Sequence, residues 1–87
     1  MAEFEVGQIV ISRQGKDTGL EYVVSGIEPD GRVKLIRPDR FNVKNPKKKN
    51  PRHLQKTLRI AGDLVDKIKA GKDIDAGNFH RSVRNGE

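Results

Sequence analysis

The residues with the most to offer chemically are cations, and they are concentrated. Asn45-Pro46-Lys47-Lys48-Lys49-Asn50-Pro51 sets three consecutive lysines between two Asn-Pro steps. A residue before proline is pushed towards extended backbone, and proline sits in neither a helix interior nor a central strand. The lysines are therefore expected on an extended, solvated loop. The charge around them is one-sided: residues 40–59 hold eight basic side chains (Arg40, Lys44, Lys47, Lys48, Lys49, Arg52, Lys56 and Arg59) and no acid. The chain has 18 Lys and Arg against 12 Asp and Glu, so ten face twelve elsewhere, a net of −2, and the whole excess of +6 lies in this segment. Positive charge localised in this way is the electrostatic footprint of a polyanion-binding surface. The competing reading is a lysine-rich loop that serves only solubility.

Smaller groups join it. Arg13 and Lys16 stand in a loop with Gly15 and Gly19; their competing account is ordinary surface charge, partly offset by Asp17. Arg37 and Arg40 flank a turn, where a guanidinium can stack on a base or fork onto a phosphate, or equally pair with Asp39 or Glu28. His53, beside Arg52, can hydrogen-bond RNA or serve as a structural histidine at a strand start. Phosphates repeat along a nucleic acid, so affinity comes from several cations releasing counterions together. Flexible lysine stems let their heads gather even where the backbone aims them apart. The aromatics are Phe4, Tyr22, Phe41 and Phe79. Tyr22 and Phe41 fall in strand patterns and are expected in the core, which argues against a stacking platform for single strands and for recognition by RNA shape and phosphate geometry.

Catalysis finds little support. His53 and His80 with a nearby lysine are the raw material for acid–base cleavage of RNA, but nothing accompanies them. The chain has no Gly-x-x-x-x-Gly-Lys phosphate cradle, no His-x-x-x-His metal pair and no nucleophile elbow. With no cysteine there are no disulfides, thiolate metal sites or thiol nucleophiles, which fits an intracellular setting. Neither metal, cofactor nor small-molecule substrate is expected. There is no long apolar run, and Met1-Ala2-Glu3-Phe4-Glu5 is acidic and short, unlike a targeting peptide, so a cytoplasmic protein away from membranes is expected.

The elements that must position these cations fit one small domain of 87 residues. Only 33% of residues are apolar and 34% are charged, yet the apolar ones cluster at structured spacings, so order is expected around a modest core. Residues 6–12 are β-rich and apolar on both faces, as in a well-covered strand. Gly15 and Gly19 bracket a tight loop needing positive φ at one or both. Residues 20–27 form a second strand, with Gly26 a candidate bulge. Glu28-Pro29-Asp30-Gly31 is a turn. Residues 32–35 alternate with Val33 and Leu35 inward, Arg37-Pro38-Asp39-Arg40 turns again, and residues 40–44 alternate with Phe41 and Val43 inward. His53-Leu54-Gln55-Lys56-Thr57 is a short closing strand. Five short strands at this spacing predict an antiparallel meander, closed or nearly closed. The period then changes. Leu58, Ala61, Leu64 or Val65, and Ile68 mark an apolar helix face with Thr57 as N-cap and Gly71 as C-cap, although residues 58–60 fit either strand or helix. A second helix follows Asp75 as N-cap, with Ile74 and Phe79 as a hydrophobic staple and Val83 on the same face. Residues 85–87 are expected to fray.

The amino-terminal part now resembles a known motif. Gly7-Gln8-Ile9-Val10-Ile11-Ser12-Arg13-Gln14-Gly15-Lys16-Asp17-Thr18-Gly19, continuing to Tyr22-Val23-Val24, looks like a KOW motif around the loop glycine Gly15, over residues 5–31. Pro46-Lys47-Lys48-Lys49-Asn50 and His53-Leu54 resemble a subgroup: bacterial KOW-domain RNA-binding proteins, relatives of KOW-containing large-subunit ribosomal proteins of archaea and eukaryotes. The chain departs from that pattern at Arg37-Pro38-Asp39-Arg40, where an Asp-Gly-type turn is more usual, and in a less helical segment around Ala76-Gly77. The resemblance implies a small five-stranded SH3-like barrel at residues 1–57 with a helical extension at 58–87. It also implies RNA binding in a ribosomal or translational setting, with a Gly15 loop able to approach nucleic acid closely. The expected RNA-binding set is Arg13, Lys16, Arg37, Arg40, Lys44, Lys47, Lys48, Lys49, Asn50, Arg52 and His53, held in fixed register by the sheet. Structured RNA, above all ribosomal RNA, is the expected partner, with ribosomal proteins as further neighbours. The rival is a protein-interaction module using Leu64, Val65 and Ile68. An exposed helix face would favour it.

Overall fold

The computed structural model describes residues 4–86. Five strands, β1 (Gln8–Ser12), β2 (Glu21–Ile27), β3 (Val33–Ile36), β4 (Lys47–Lys49) and β5 (Leu54–Ile60), precede helices α1 (Gly62–Lys69) and α2 (Ala76–Asn85). The strands form one antiparallel sheet in the order β4-β3-β2-β1-β5. This arrangement is consistent with an SH3-like barrel closed off by two carboxyl-terminal helices.

Strand periodicity builds the core on both faces. Partners directly opposite one another share a face. Ile9, Val23 and Ile36 line up across β1, β2 and β3 on one side, and Val10 with Tyr22 and Val24 with Leu35 on the other. The first face is covered by Ala61, Leu64, Ile68, Ile74, Phe79 and Val83. The second folds over Phe4, Val33 and Leu54. Each fully buried aliphatic chain contributes about 1.5–3 kcal/mol, and the helices with their flanking Ala61 and Ile74 cover one of the two core clusters. They are not an appendage.

The turns follow the expected chemistry. Gly15 and Gly19 both have positive φ, +94° and +91°. The Gly31 N–H donates to the Glu28 carbonyl and the Arg40 N–H to the Arg37 carbonyl. The β2–β3 register slips between Val24 and Gly26, confirming a bulge there, and the Lys34 stem lies over Gly26 where a Cβ would stand 2.8 Å from its Cε. Gly71, at φ +75°, ends α1 with Gly71 N–H to Ile68 O and Lys72 N–H to Lys67 O, the paired bonds of a Schellman cap. Asp75 caps α2 by accepting from the Asn78 N–H at 2.7 Å, and Ile74 and Phe79, both buried, close the staple.

Four expectations are corrected. Residues 40–44 are not a strand. They form a turn held by bridges Arg37–Phe41 and Asn42–Asn45, because the Asn42 side chain clamps both main-chain polar groups of Ile74. The lysine run is not a solvated loop but strand β4, paired with β3 through Val33–Lys49, Lys34–Lys48 and Leu35–Lys47. Pro46 and Pro51 lie just outside it and cost the ladder no donor. Strand β5 runs to Ile60, so residues 58–60, which fitted either strand or helix, are strand, and α1 starts at Gly62. Thr57 does not cap it, because its hydroxyl donates to the Ile9 carbonyl. Residues 57–59 bulge opposite Ile9, which leaves Leu58 97% exposed rather than on a helix face. Finally, Gly86 packs against the sheet: a Cβ there would meet Ile9 Cδ1 at 2.6 Å. Glu87 lies outside the described residues.

Candidate nucleic-acid interface

The loop between β1 and β2 and the basic strand β4 meet at Asp17. Ser12 ends β1 and Tyr22 is the second residue of β2, so each reaches the loop between them. The Asp17 carboxylate accepts from Ser12 Oγ at 2.9 Å, Tyr22 OH at 2.7 Å and Lys49 Nζ at 2.9 Å, with Lys47 Nζ at 3.9 Å. Asp17 is buried. Burial alone pushes its carboxyl up, but hydrogen bonds from Lys49, Tyr22 and Ser12 and the Lys49 charge outweigh it and hold the group well below the ordinary aspartate value. Burial and the bond to Asp17 push the Tyr22 phenol above its ordinary value. Lys49 Nζ also donates to the Gln14 carbonyl at 2.9 Å, and the Arg13 N–H donates to the His53 carbonyl at 2.8 Å. The loop is thus stitched to the segment after β4. Together they border a shallow groove of about 360 Å³ lined by Gln14, Gly15, Lys47, Lys48, Lys49, Asn50 and His53.

The expected set therefore divides. Lys49 is almost buried and satisfied, and Lys47 leans over the Phe41 ring at 5.0 Å. Lys48 pairs with Glu28 at 2.7 Å, a bond that lowers the glutamate's pKa. Far from an uncompensated row, all three lysines face carboxylates. Arg37 is also internal in function. It donates to the Glu21 carbonyl, pairs with Asp39 at 3.6 Å and lies over the Phe79 ring, which bears out the salt-bridge alternative for this residue. Asn50 caps the 3₁₀ turn Pro51–His53 by accepting from the Arg52 N–H. Tyr22 is core as expected, and Phe41 is only half-buried.

Other cations lack such a partner. Arg13, Lys16 and Arg52 are exposed, each next in sequence to a groove-lining residue, and none has a carboxylate of the described residues within 4 Å. Arg40 is exposed at the neighbouring turn. Lys44 stands apart, its backbone N–H bound by Asp73 in the α1–α2 connection. The residue that sequence reasoning undervalued is Asp17. The available signal was an acid between two loop glycines with Ser12 and Tyr22 five positions to either side.

Of the helix face offered to a protein partner, Leu64 and Ile68 are buried in the shared core and Val65 is half-buried. Among the described residues no helix is long and apolar enough to cross a membrane. Compared with known proteins, the chain matches no protein-family model, and no curated sequence matches it significantly.

Proposed function

We propose that this chain is a non-catalytic, cytoplasmic RNA-binding module of the KOW type. Its ligand is structured RNA, above all ribosomal RNA, met in a translational or ribosome-associated setting alongside ribosomal proteins. The observation that carries the reading is the stitching of two basic segments into one rim. The Lys49–Gln14 and Arg13–His53 bonds hold the segment of Arg13 and Lys16 against that of Arg52, distant in sequence, and residues of both segments line the groove. An array of cations without a carboxylate partner among the described residues suits the repeating phosphates of a folded RNA, and Gly15 leaves the groove wall without a side chain. Lys48 joins the array at small cost, since an exposed ion pair with Glu28 is worth about 0–1 kcal/mol.

Fluorescence anisotropy of a labelled RNA hairpin across a salt series tests this. Each phosphate that a cation neutralises adds about 0.7–0.9 to the slope of log affinity against log salt. That slope should therefore fall by about 2 to 3 in the triple variant R13A/K16A/R52A. An unchanged slope removes the rim from the binding surface. Crosslinking the protein to RNA in cells and sequencing the adducts identifies the ligand.

A further inference from the structure

A second polar recess lies on the other face of the sheet, in the seam between α1 and α2. Lys47 and Lys49 share the face of Leu35 and Val33, whereas the helices cover Ile9, Val23 and Ile36. The seam comprises two adjoining hollows of about 470 and 240 Å³, and Asp63 and Ser82 line both. Ile60, Gly62, Asn85 and Gly86 complete the first, and Leu64, Lys67, Asn78 and Arg81 the second. Helix α1 opens onto it without a capping side chain, since its N-cap is Ala61. Ser82 is 4% exposed, yet its hydroxyl makes no hydrogen bond within the described residues. A helical serine that is nearly buried commonly bonds back to its own helix. This one makes no such bond among the described residues, and it lines both hollows. Neither Lys67 nor Arg81 has a carboxylate of the described residues within 4 Å, nor is Asp63 paired.

The mixture of charges defines the ligand. Two cations and an uncapped helix start favour a phosphate, but a carboxylate in the same recess penalises a simple anion and asks for a hydroxyl donor. A ribonucleotide couples the two: a phosphate beside a 2′-hydroxyl. We propose that the α1–α2 seam is a ribose–phosphate subsite, with Lys67 and Arg81 on the phosphate, Asp63 accepting from the 2′-hydroxyl, and Ser82 and Asn85 completing the pocket. For RNA as the source this rests on the function proposed above. A free ribonucleotide offers the same chemistry.

The test compares a folded RNA hairpin with the DNA hairpin of the same sequence on the full chain, and titrates AMP by amide NMR. The wild type should prefer RNA about tenfold, the weight of one hydrogen bond to a carboxylate. D63A should bring that ratio close to one, and S82A should weaken RNA binding about three- to tenfold at an unchanged unfolding midpoint. R13A/K16A/R52A should weaken both polymers and leave the ratio alone. A wild-type ratio retained in both D63A and S82A overturns the seam while leaving the groove reading intact. If the wild type ignores both hairpins at low salt, the RNA reading fails. AMP-induced shifts at Gly62, Asp63, Ser82 and Asn85 then assign the seam to a free ribonucleotide, and their absence overturns it.

Discussion

Removing the Asp17 carboxylate should do more damage than any other single change at the interface. D17A takes an acceptor from three donors: Lys49, 11% exposed at its side chain, and the buried Ser12 hydroxyl, which both keep the Gln14 carbonyl, and the buried Tyr22 hydroxyl, which is left with none among the described residues. An uncompensated buried charge costs about 3–5 kcal/mol, tempered here because Lys49 keeps the Gln14 carbonyl. A loss of about 3 kcal/mol is expected, a large part of the about 4–13 kcal/mol that a chain of this size holds. At about 4–8 °C per kcal/mol for a domain of this size, the melting midpoint should fall on the order of 12–24 °C. Urea unfolding followed by circular dichroism reads the change as a shift in midpoint at constant m-value. In the double variant D17A/K49M the orphaned cation is gone, so part of the loss should return, with a coupling of about 1.5–3 kcal/mol. A shift under about 0.5 kcal/mol for D17A, or strict additivity with K49M, would refute a carboxylate that holds the loop to β4. The pH dependence has a definite sign. The folded Asp17 carboxyl lies below its ordinary value of 3.8, so its stabilisation is complete above that pH. It drains away as acid approaches the folded value. Stability between pH 5 and pH 2 should fall less steeply in D17A than in the wild type.

Other substitutions probe the rest of the molecule. Gly7→Ala should cost more than 2 kcal/mol by denaturant melts, because φ is +91° and the new Cβ would stand 2.6 Å from Val65 Cγ2; Gly31→Ala, at φ +94° with nothing within 4 Å, carries strain alone and about 1 kcal/mol. Leu58→Lys should leave stability within about 0.5 kcal/mol, whereas Leu64→Ala should lose about 2–5 kcal/mol by the same assay. Spectrophotometric titration of Tyr22, the sole tyrosine, should place its ionisation above the ordinary 10.0 in the folded protein. As its folded value is raised, the stability that it lends is full below pH 10 and is lost in alkali.

What the sequence determined by itself is local. Alternation placed Val33 and Leu35 inward, and Pro29 and Gly31 made the turn. Gly71 and Asp75 marked a helix end and a helix start, all through interactions within a few residues. Short-range rules also failed in an instructive place. The apolar spacing of Leu58, Ala61 and Ile68 suited a helix, but Thr57 bonds Ile9, almost fifty positions away, and the strand runs on to Ile60. The candidate site suffered the same limit. Counting charge along the chain located the positive excess but gave no account of which cations were already answered. Asp17 reaches Lys49 across 32 positions, and Glu28 reaches Lys48 across the β2–β3–β4 register. Charge adds along a sequence, whereas neutralisation depends on distance in space. Only the folded sheet could therefore set Lys47 and Lys49 against Asp17 and leave Arg13, Lys16 and Arg52 exposed without a carboxylate partner among the described residues.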